Sequence, residues 1–312
     1  MIMEYTYEDP RKLFGAEVTR LAEENEKIVV ISADSGGSSG LKDFAKKFPN
    51  RYFEIGIMEQ AAIGIASGLA TSGYIPVFCA IAPFTTARPY EMFRNDLGYM
   101  RQNAKIVGRN GGITYSDLGS THHSLDDFGI MRMIPGNVIM NPQDPAEIRA
   151  AVRAMIQYEG PVYMRVGNGK IPNLFAEEDI EIGKGRQLAE GDDVTIISTG
   201  TLTADVLQAA EELKKAGIKA DVIGLGTVYP LDEEKILASA KKTGKVVTVE
   251  EHYVYGGMGT MVSDLLAEKY PCSVKKLGIP NSYAISGPYD EILSYYGLDC
   301  KGIVESVKEF IK

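Results

Sequence analysis

The chain has 312 residues, with 33 Lys plus Arg against 42 Asp plus Glu and a net charge of −9 at pH 7. Hydrophobic residues make up 45% and charged residues 24%, ordinary globular usage that excludes a disordered or collagen-like chain. The acidic balance gives no footprint for nucleic acid or anionic membrane, and no apolar run approaches the ~20 residues a membrane helix needs. Cys79, Cys272 and Cys300 show no CxxC spacing and no accompanying histidine cluster, so neither a disulfide framework nor a metal site is expected. The polar start MIMEYTYEDPRK (Met1–Lys12) lacks the apolar core of a signal peptide, and a reducing, cytoplasmic setting is expected.

Taken in chain order, Lys27–Ala33 (KIVVISA) reads as a buried strand entering the turn Asp-Ser-Gly-Gly. Glu59–Ser72 carries an apolar helical face and stops at Gly73, a suitable C-terminal cap. Lys105–Arg109 and Asn137–Met140 are strand-like. Asp144-Pro145 then opens a helix to Tyr158, with Ile148, Val152, Met155 and Ile156 on one face. Pro161–Val166 is the next strand. Such alternation predicts an α/β chain with a mostly parallel sheet and helices on both sides. From Gly167 to about Asp192 the apolar rhythm stops, and a linker is expected. Alternation resumes with Val194–Ser198, a helix from Ala204 to Ala216, Lys219–Gly224, a helix from Leu231, Lys245–Glu250 and Ser273–Leu277 before terminal helices. The expected division is residues 5–170 as a first domain, 171–191 as linker and 192–312 as a second, smaller domain of similar architecture.

Few residues offer chemistry. Of three histidines, His122 and His123 are adjacent in Gly119-Ser120-Thr121-His122-His123-Ser124, and His252 follows Glu250-Glu251. A pair in a polar loop at the carboxyl side of a strand is where α/β sites gather. HExxH and a P-loop are both missing, which weakens metal and nucleotide readings. Gly256-Gly257-Met258-Gly259 reads equally well as a tight turn opening a helix or as a cofactor contact. Glu59 heads a helix that carries no other charge to Ser72. The helix dipole explains an exposed Glu in a first turn; a buried one is poised to share a proton with a ligand nitrogen. The residues alone leave both roles open.

Glu54-Ile55-Gly56-Ile57-Met58-Glu59-Gln60, the Gly-Ser-Thr-His-His loop and Thr248-Val249-Glu250-Glu251-His252 with Gly256-Gly257-Met258-Gly259, in this order, resemble transketolases. The resemblance runs from about Tyr7 to Gly302. It corresponds to the second half of a full-length transketolase, the pyrimidine-binding and C-terminal domains, and implies two α/β sandwich domains in sequence. It implies thiamine diphosphate as cofactor, with Glu59 protonating the aminopyrimidine ring nitrogen and favouring the imino form that activates the thiazolium carbon. It places Phe84 as the aromatic stacked on that ring, Asp34 as an acid near the cofactor, and His122 at the donor's oxygens. The resemblance makes Asp117 the candidate for reading a donor hydroxyl.

The chain departs from the family where a terminal phosphate is usually gripped, because those positions fall on Asn110 and Asn168. A weaker preference for phosphorylated sugars is therefore expected, unless Arg165, Arg88 or a partner compensates. No segment for Mg2+ and diphosphate occurs in this chain. The resemblance thus implies a separate N-terminal subunit that holds them, small-molecule sugar substrates, and self-association of this chain through a face containing Gly64 and Gly68, giving α2β2 overall. Other readings are the β subunit of a 2-oxoacid dehydrogenase E1, a 1-deoxyxylulose-phosphate-synthase-like subunit, and a non-catalytic interaction subunit.

Overall fold

The computed structural model describes residues 5–312, so the first four residues of the acidic N-terminal stretch lie outside it. The first sheet has seven strands in the order Thr227–Tyr229, Val138–Met140, Val162–Val166, Lys105–Arg109, Ile75–Ile81, Ile28–Ser32, Tyr52–Glu54. All neighbours are parallel except the first pair. The central runs Ile28–Ser32, Lys105–Arg109 and Val162–Val166 are buried from end to end, which is why they read as continuous β-branched stretches rather than alternating ones.

Both faces of this sheet are covered. Phe14, Val18 and Ala22 of the helix Pro10–Glu24 and Ile148, Val152 and Met155 of the helix Pro145–Gln157 pack with Val30, Val77, Val107 and Met164 on one face. Asp144 caps the second of these helices, accepting from the Glu147 N–H at 2.7 Å. Its other oxygen accepts from the N–H groups of Leu174 and Phe175, both at 2.9 Å, so one side chain fixes the helix start and the chain leaving the domain. On the other face, Ile31, Phe78 and Ile106 meet Ala62, Ile63 and Ala66 of the helix Glu59–Thr71.

The second sheet has five strands, Ser273–Ile279, Lys245–Tyr253, Val194–Ser198, Ala220–Gly224 and Arg186–Ala189, the last one antiparallel. The two sheets are not independent. One apolar cluster runs from Ile31 and Phe78 through to Ile197, Leu225 and Met258. Thr227–Tyr229, from the second half of the chain, pairs with Val138–Met140 at the edge of the first sheet.

The stretch expected to be a plain linker carries two short strands. Ile171–Pro172 pairs antiparallel with Tyr7–Glu8, and Arg186–Ala189 with Ala220–Gly224. The half-buried pattern of Arg186–Ala189, at a sheet edge, explains its lack of a sustained apolar period. Among the described residues, no helix is long and apolar enough to cross a membrane.

Candidate functional site

The carboxyl ends of the parallel strands of the first sheet bring several candidates to one edge, the usual place for sites in open α/β sheets. Asp34 follows Ile28–Ser32, Glu54 ends its own strand, Phe84 lies in the short helix Ala82–Thr85 after Ile75–Ile81, and Asn110 follows Lys105–Arg109. Asp34 and Asn110 adopt left-handed backbone conformations, φ 53° and 57°, uncommon for residues other than glycine.

Glu59 is the first residue of its helix and is buried. Its carboxylate pairs with the Arg88 guanidinium at 2.6 Å. That guanidinium lies over the Phe84 ring, 3.8 Å from the centroid. His122 meets Phe84 edge-on at 5.3 Å between ring centres, and meets Tyr115 edge-on at 5.8 Å. The Thr121 hydroxyl lies 3.0 Å from His122 Nδ1. Glu59, Arg88, Phe84, His122 and Tyr115 therefore form an unbroken line of contacts. A carboxylate and an aromatic face already grip one planar, nitrogen-bearing cation here. The same pair of groups suits a flat heterocycle that offers a nitrogen to the carboxyl and a face to the ring.

Asp34 is exposed. Its backbone N–H donates to Glu54 Oε1 at 2.7 Å, and the Gly56 N–H reaches the same oxygen at 3.1 Å. Burial works against the Glu54 carboxylate. The Asp34 N–H, the Ser32 hydroxyl, the Gly56 N–H and the Tyr52 hydroxyl outweigh it and hold the group below the usual range.

Asp117 and Asn168 lie elsewhere. Asp117 is exposed on the short turn Ser116–Leu118, and the Asn168 amide donates to the Thr114 carbonyl at 3.3 Å. Both line a cleft of about 500 Å3 between the two halves, together with Thr114, Thr201 and Tyr289; Glu59, Phe84 and His122 are not among its walls. Asn110 is buried, accepts from Arg109 Nη1 at 3.2 Å, and leaves its Nδ2 without a partner among the described residues.

The other two histidines take structural places. His123 is buried beside the backbone of Ser116 and Tyr115, and burial pushes it below the ordinary histidine value. His252 stacks on Phe128, centroids 5.5 Å apart, and its Nε2 accepts from the Gly129 N–H at 3.3 Å. It joins the second half of the chain to the first. Gly257-Met258-Gly259 opens a helix, with the Glu250 carboxylate accepting from the N–H groups of Met258 and Gly259, both at 2.7 Å. A Cβ on Gly257 would come within 2.4 Å of that carboxylate, so the glycine serves the cap. A cofactor is not needed to explain it.

Arg165 is committed to a buried pair. Its Nε donates to Asp127 Oδ2 at 2.8 Å and its Nη2 to Asp127 Oδ1, while Nη1 and Nη2 reach the carbonyls of Glu251 and Ser124 at 2.9 and 2.8 Å. Tyr163 completes Asp127 at 2.7 Å. Burial opposes the Asp127 carboxylate, but Arg165 prevails and holds it below the usual range. Arg165 is thus unavailable to a substrate. In the sequence, Arg88 stands out only as a substitute phosphate grip, and Glu54, Tyr115 and Arg109 have no assigned role. Two signals are nevertheless present: Arg88 follows Phe84 by four residues, and Arg109 ends an otherwise apolar half-strand.

Two family models match the chain: "Transketolase, pyrimidine binding domain" over residues 9–172 and "Transketolase, C-terminal domain" over residues 183–303. It is 40% identical, over 97% of both chains, to an apulose-4-phosphate transketolase subunit of Phocaeicola vulgatus. It is 38% identical to a 1-deoxy-D-xylulose-5-phosphate synthase of Geobacter sulfurreducens, covering 96% of this chain but 47% of the synthase. Among solved structures, a split-gene transketolase described as an inactive beta4 tetramer superposes with a TM-score of 0.89 at 38% identity, covering 97% of this chain and 98% of that one.

Proposed function

This chain belongs to the transketolase family, and from that membership we propose how its residues work. It is the C-terminal subunit of a two-chain transketolase, which moves a two-carbon ketol unit between sugars by way of thiamine diphosphate. Bound at this edge, the cofactor supplies the electron sink that lets the ketol fragment leave one sugar and join another. Glu59 holds and shares a proton at the aminopyrimidine ring nitrogen. Phe84 supports the ring face. His122, held between Phe84 and Tyr115, faces the sugar oxygens. Arg88 gives up both of its contacts when the ring enters, so binding exchanges one planar nitrogen group for another.

Mg2+ and the diphosphate fall to a separate N-terminal subunit, and activity requires it. The helix Glu59–Thr71 offers the face where copies of this chain meet. Ile57, Met58 and Ile65 are exposed beside it, and a Cβ on Gly64 or Gly68 would meet nothing within 4 Å among the described residues. A second helix can approach closely there. The expected division into residues 5–170, a linker at 171–191, and 192–312 describes the subunit's parts, with Thr227–Tyr229 crossing back to the first.

The observation that carries this reading is the coincidence of Glu59 and Phe84 on one planar cation. Calorimetric titration of thiamine diphosphate with Mg2+ into this chain mixed with its N-terminal subunit tests it. Saturable binding that Glu59→Gln weakens is expected; equal binding by the variant would remove Glu59 from the role.

A further inference from the structure

The segment that carries His122 leaves the first sheet after Lys105–Arg109 and returns to it at Val138–Met140. Between those strands its packing partners change. Ile113 and Leu125, both buried, lie in the apolar cluster built on the second sheet, with Val247, Val249 and Ile279. Hydrogen bonds follow the same pattern. The Ser116 carbonyl accepts from the Gly287 N–H at 3.3 Å, and the Ser120 hydroxyl donates to the Ala284 carbonyl at 2.8 Å. The Leu125 carbonyl accepts from the Tyr253 N–H at 3.0 Å, and the Gly129 N–H donates to His252 Nε2 at 3.3 Å. These bonds run the length of residues 116–129 and tie them to the second half of the chain.

The bond at Ser120 lies nearest the chemistry. The N–H groups of His122 and His123 both donate to the Gly119 carbonyl, at 2.9 and 3.1 Å, closing a turn that contains Ser120. Fixing Ser120 therefore fixes the turn that holds His122. Ala284, its acceptor, sits in a loop that is itself tied down. The Ile285 N–H donates to the Tyr296 hydroxyl at 3.0 Å, and Tyr289, at the start of the same helix, donates to Glu251. Contacts thus run from the helix Tyr289–Tyr296 through the loop at residues 281–287 to the His122 turn.

Glu59 and Phe84 stand on the other body. Glu59 heads the helix whose Ala62 and Ile63 pack with Ile31 and Phe78, and Phe84 directly follows the strand Ile75–Ile81. We propose that the second half of the chain, which supplies neither Glu59, Phe84 nor His122, sets the position of His122 relative to the cofactor pocket, with Ser120 and Tyr296 as positioning residues. The inference rests on the reading of His122 given above. Placement matters at this scale because a reacting group displaced by about 1 Å can lose roughly 10²-fold in rate.

Three variants test it. Ser120→Ala removes the bond to Ala284, Tyr296→Phe releases the Ile285 N–H from within the second half, and Ser120→Thr keeps the hydroxyl. The chain has three histidines, so NMR on the full chain with labelled histidine rings follows His122 separately once His122→Gln has identified its signal. The His122 signal should move in Ser120→Ala and in Tyr296→Phe, and return toward wild type in Ser120→Thr. In the reconstituted two-chain enzyme, kcat should fall about five- to hundredfold in Ser120→Ala, from the worth of one neutral hydrogen bond to that of a 1 Å misplacement. Calorimetric affinity for thiamine diphosphate with Mg2+ should stay within about twofold, because Glu59 and Phe84 stand on the first sheet. Should the reconstituted wild type transfer no ketol unit, the reading above fails and the His122 signal alone decides the placement. Should Ser120→Ala fail to fold, Tyr296→Phe carries the same expectations. An unmoved His122 signal, a moved signal with unchanged kcat, or a loss of cofactor affinity as large as the loss in kcat would overturn the proposal.

Discussion

Two arginines on neighbouring strands of the first sheet end in opposite circumstances. Gly108 is in register with Arg165 and Arg109 with Val166, so the two guanidinium groups leave opposite faces of the sheet. Arg165 points toward the second half of the chain and finds Asp127, Tyr163, two carbonyls and the Phe128 ring at 3.9 Å. Arg109 points toward the loop at residues 35–40 and, among the described residues, hydrogen-bonds only to neutral partners. Both are buried. The Arg165 charge is neutralised within the chain and joins the two halves; the Arg109 charge rests on neutral oxygens. The same contrast separates His252, stacked and bonded at the junction, from His122, half-buried and held by ring edges.

The largest expected effect lies on the ligand side. Glu59→Gln should lower ketol transfer by roughly 10²–10⁴-fold, the usual worth of a general acid–base group, with a thermal unfolding curve close to wild type. Near-normal turnover would break the division between site and scaffold. On the scaffold side, Asp127→Ala leaves Arg165 buried and unpaired, which should cost about 3–5 kcal/mol of stability in denaturant titrations. Arg109→Met should cost much less, about 1 kcal/mol or below, because no counter-charge is orphaned. Similar losses in both variants would erase the contrast.

Much of the scaffold was legible because its signals are local. Asp144-Pro145 announced the helix Pro145–Gln157, and Gly73 the end of the helix Glu59–Thr71. Lys27–Ala33 enclosed the strand Ile28–Ser32. Pairings across long separations were not legible. Nothing near Thr227 says that it will join Met140, and nothing near Asp127 says that it will meet Arg165, 38 residues on. Tyr52–Glu54 is a half-exposed edge strand without an apolar run. In the site, Glu59 stood out as the lone charge on its helix, whereas Arg109 drew no attention. Its buried place beside Ser39, 70 residues away, is made by the fold, which sequence order does not display.

A pH measurement sharpens the junction side. Glu251 is buried against the Tyr289 hydroxyl, Thr201, Arg165 and Asp205, and burial pushes its carboxyl from 4.5 up to about 7. The folded chain therefore keeps a proton that the unfolded chain has released. The stability linked to it is full below about pH 4.5 and is lost as pH rises through about 7. Glu251→Gln carries no such proton and should exceed the wild type at pH 8 by on the order of 3 kcal/mol. Glu147, also raised to about 7 by burial, leaves a residual slope of the same sign. Equal stability of variant and wild type at pH 8 would contradict the assignment.

A separate effect is expected at the open helix face. Gly64→Leu should weaken self-association by about 1–3 kcal/mol through overpacking, read as a shift in the sedimentation-equilibrium dissociation constant. An unchanged constant would move the contact between copies elsewhere.

The central claim is that this chain is one half of a catalyst whose other half holds the diphosphate and Mg2+. The most direct measurement follows ketol transfer while this chain is titrated into a fixed amount of its N-terminal subunit, with thiamine diphosphate and Mg2+ present. The account predicts no transfer by either chain alone and a rise that saturates at one copy of each. Transfer by this chain alone, or none at any ratio despite saturable thiamine diphosphate binding, would contradict it.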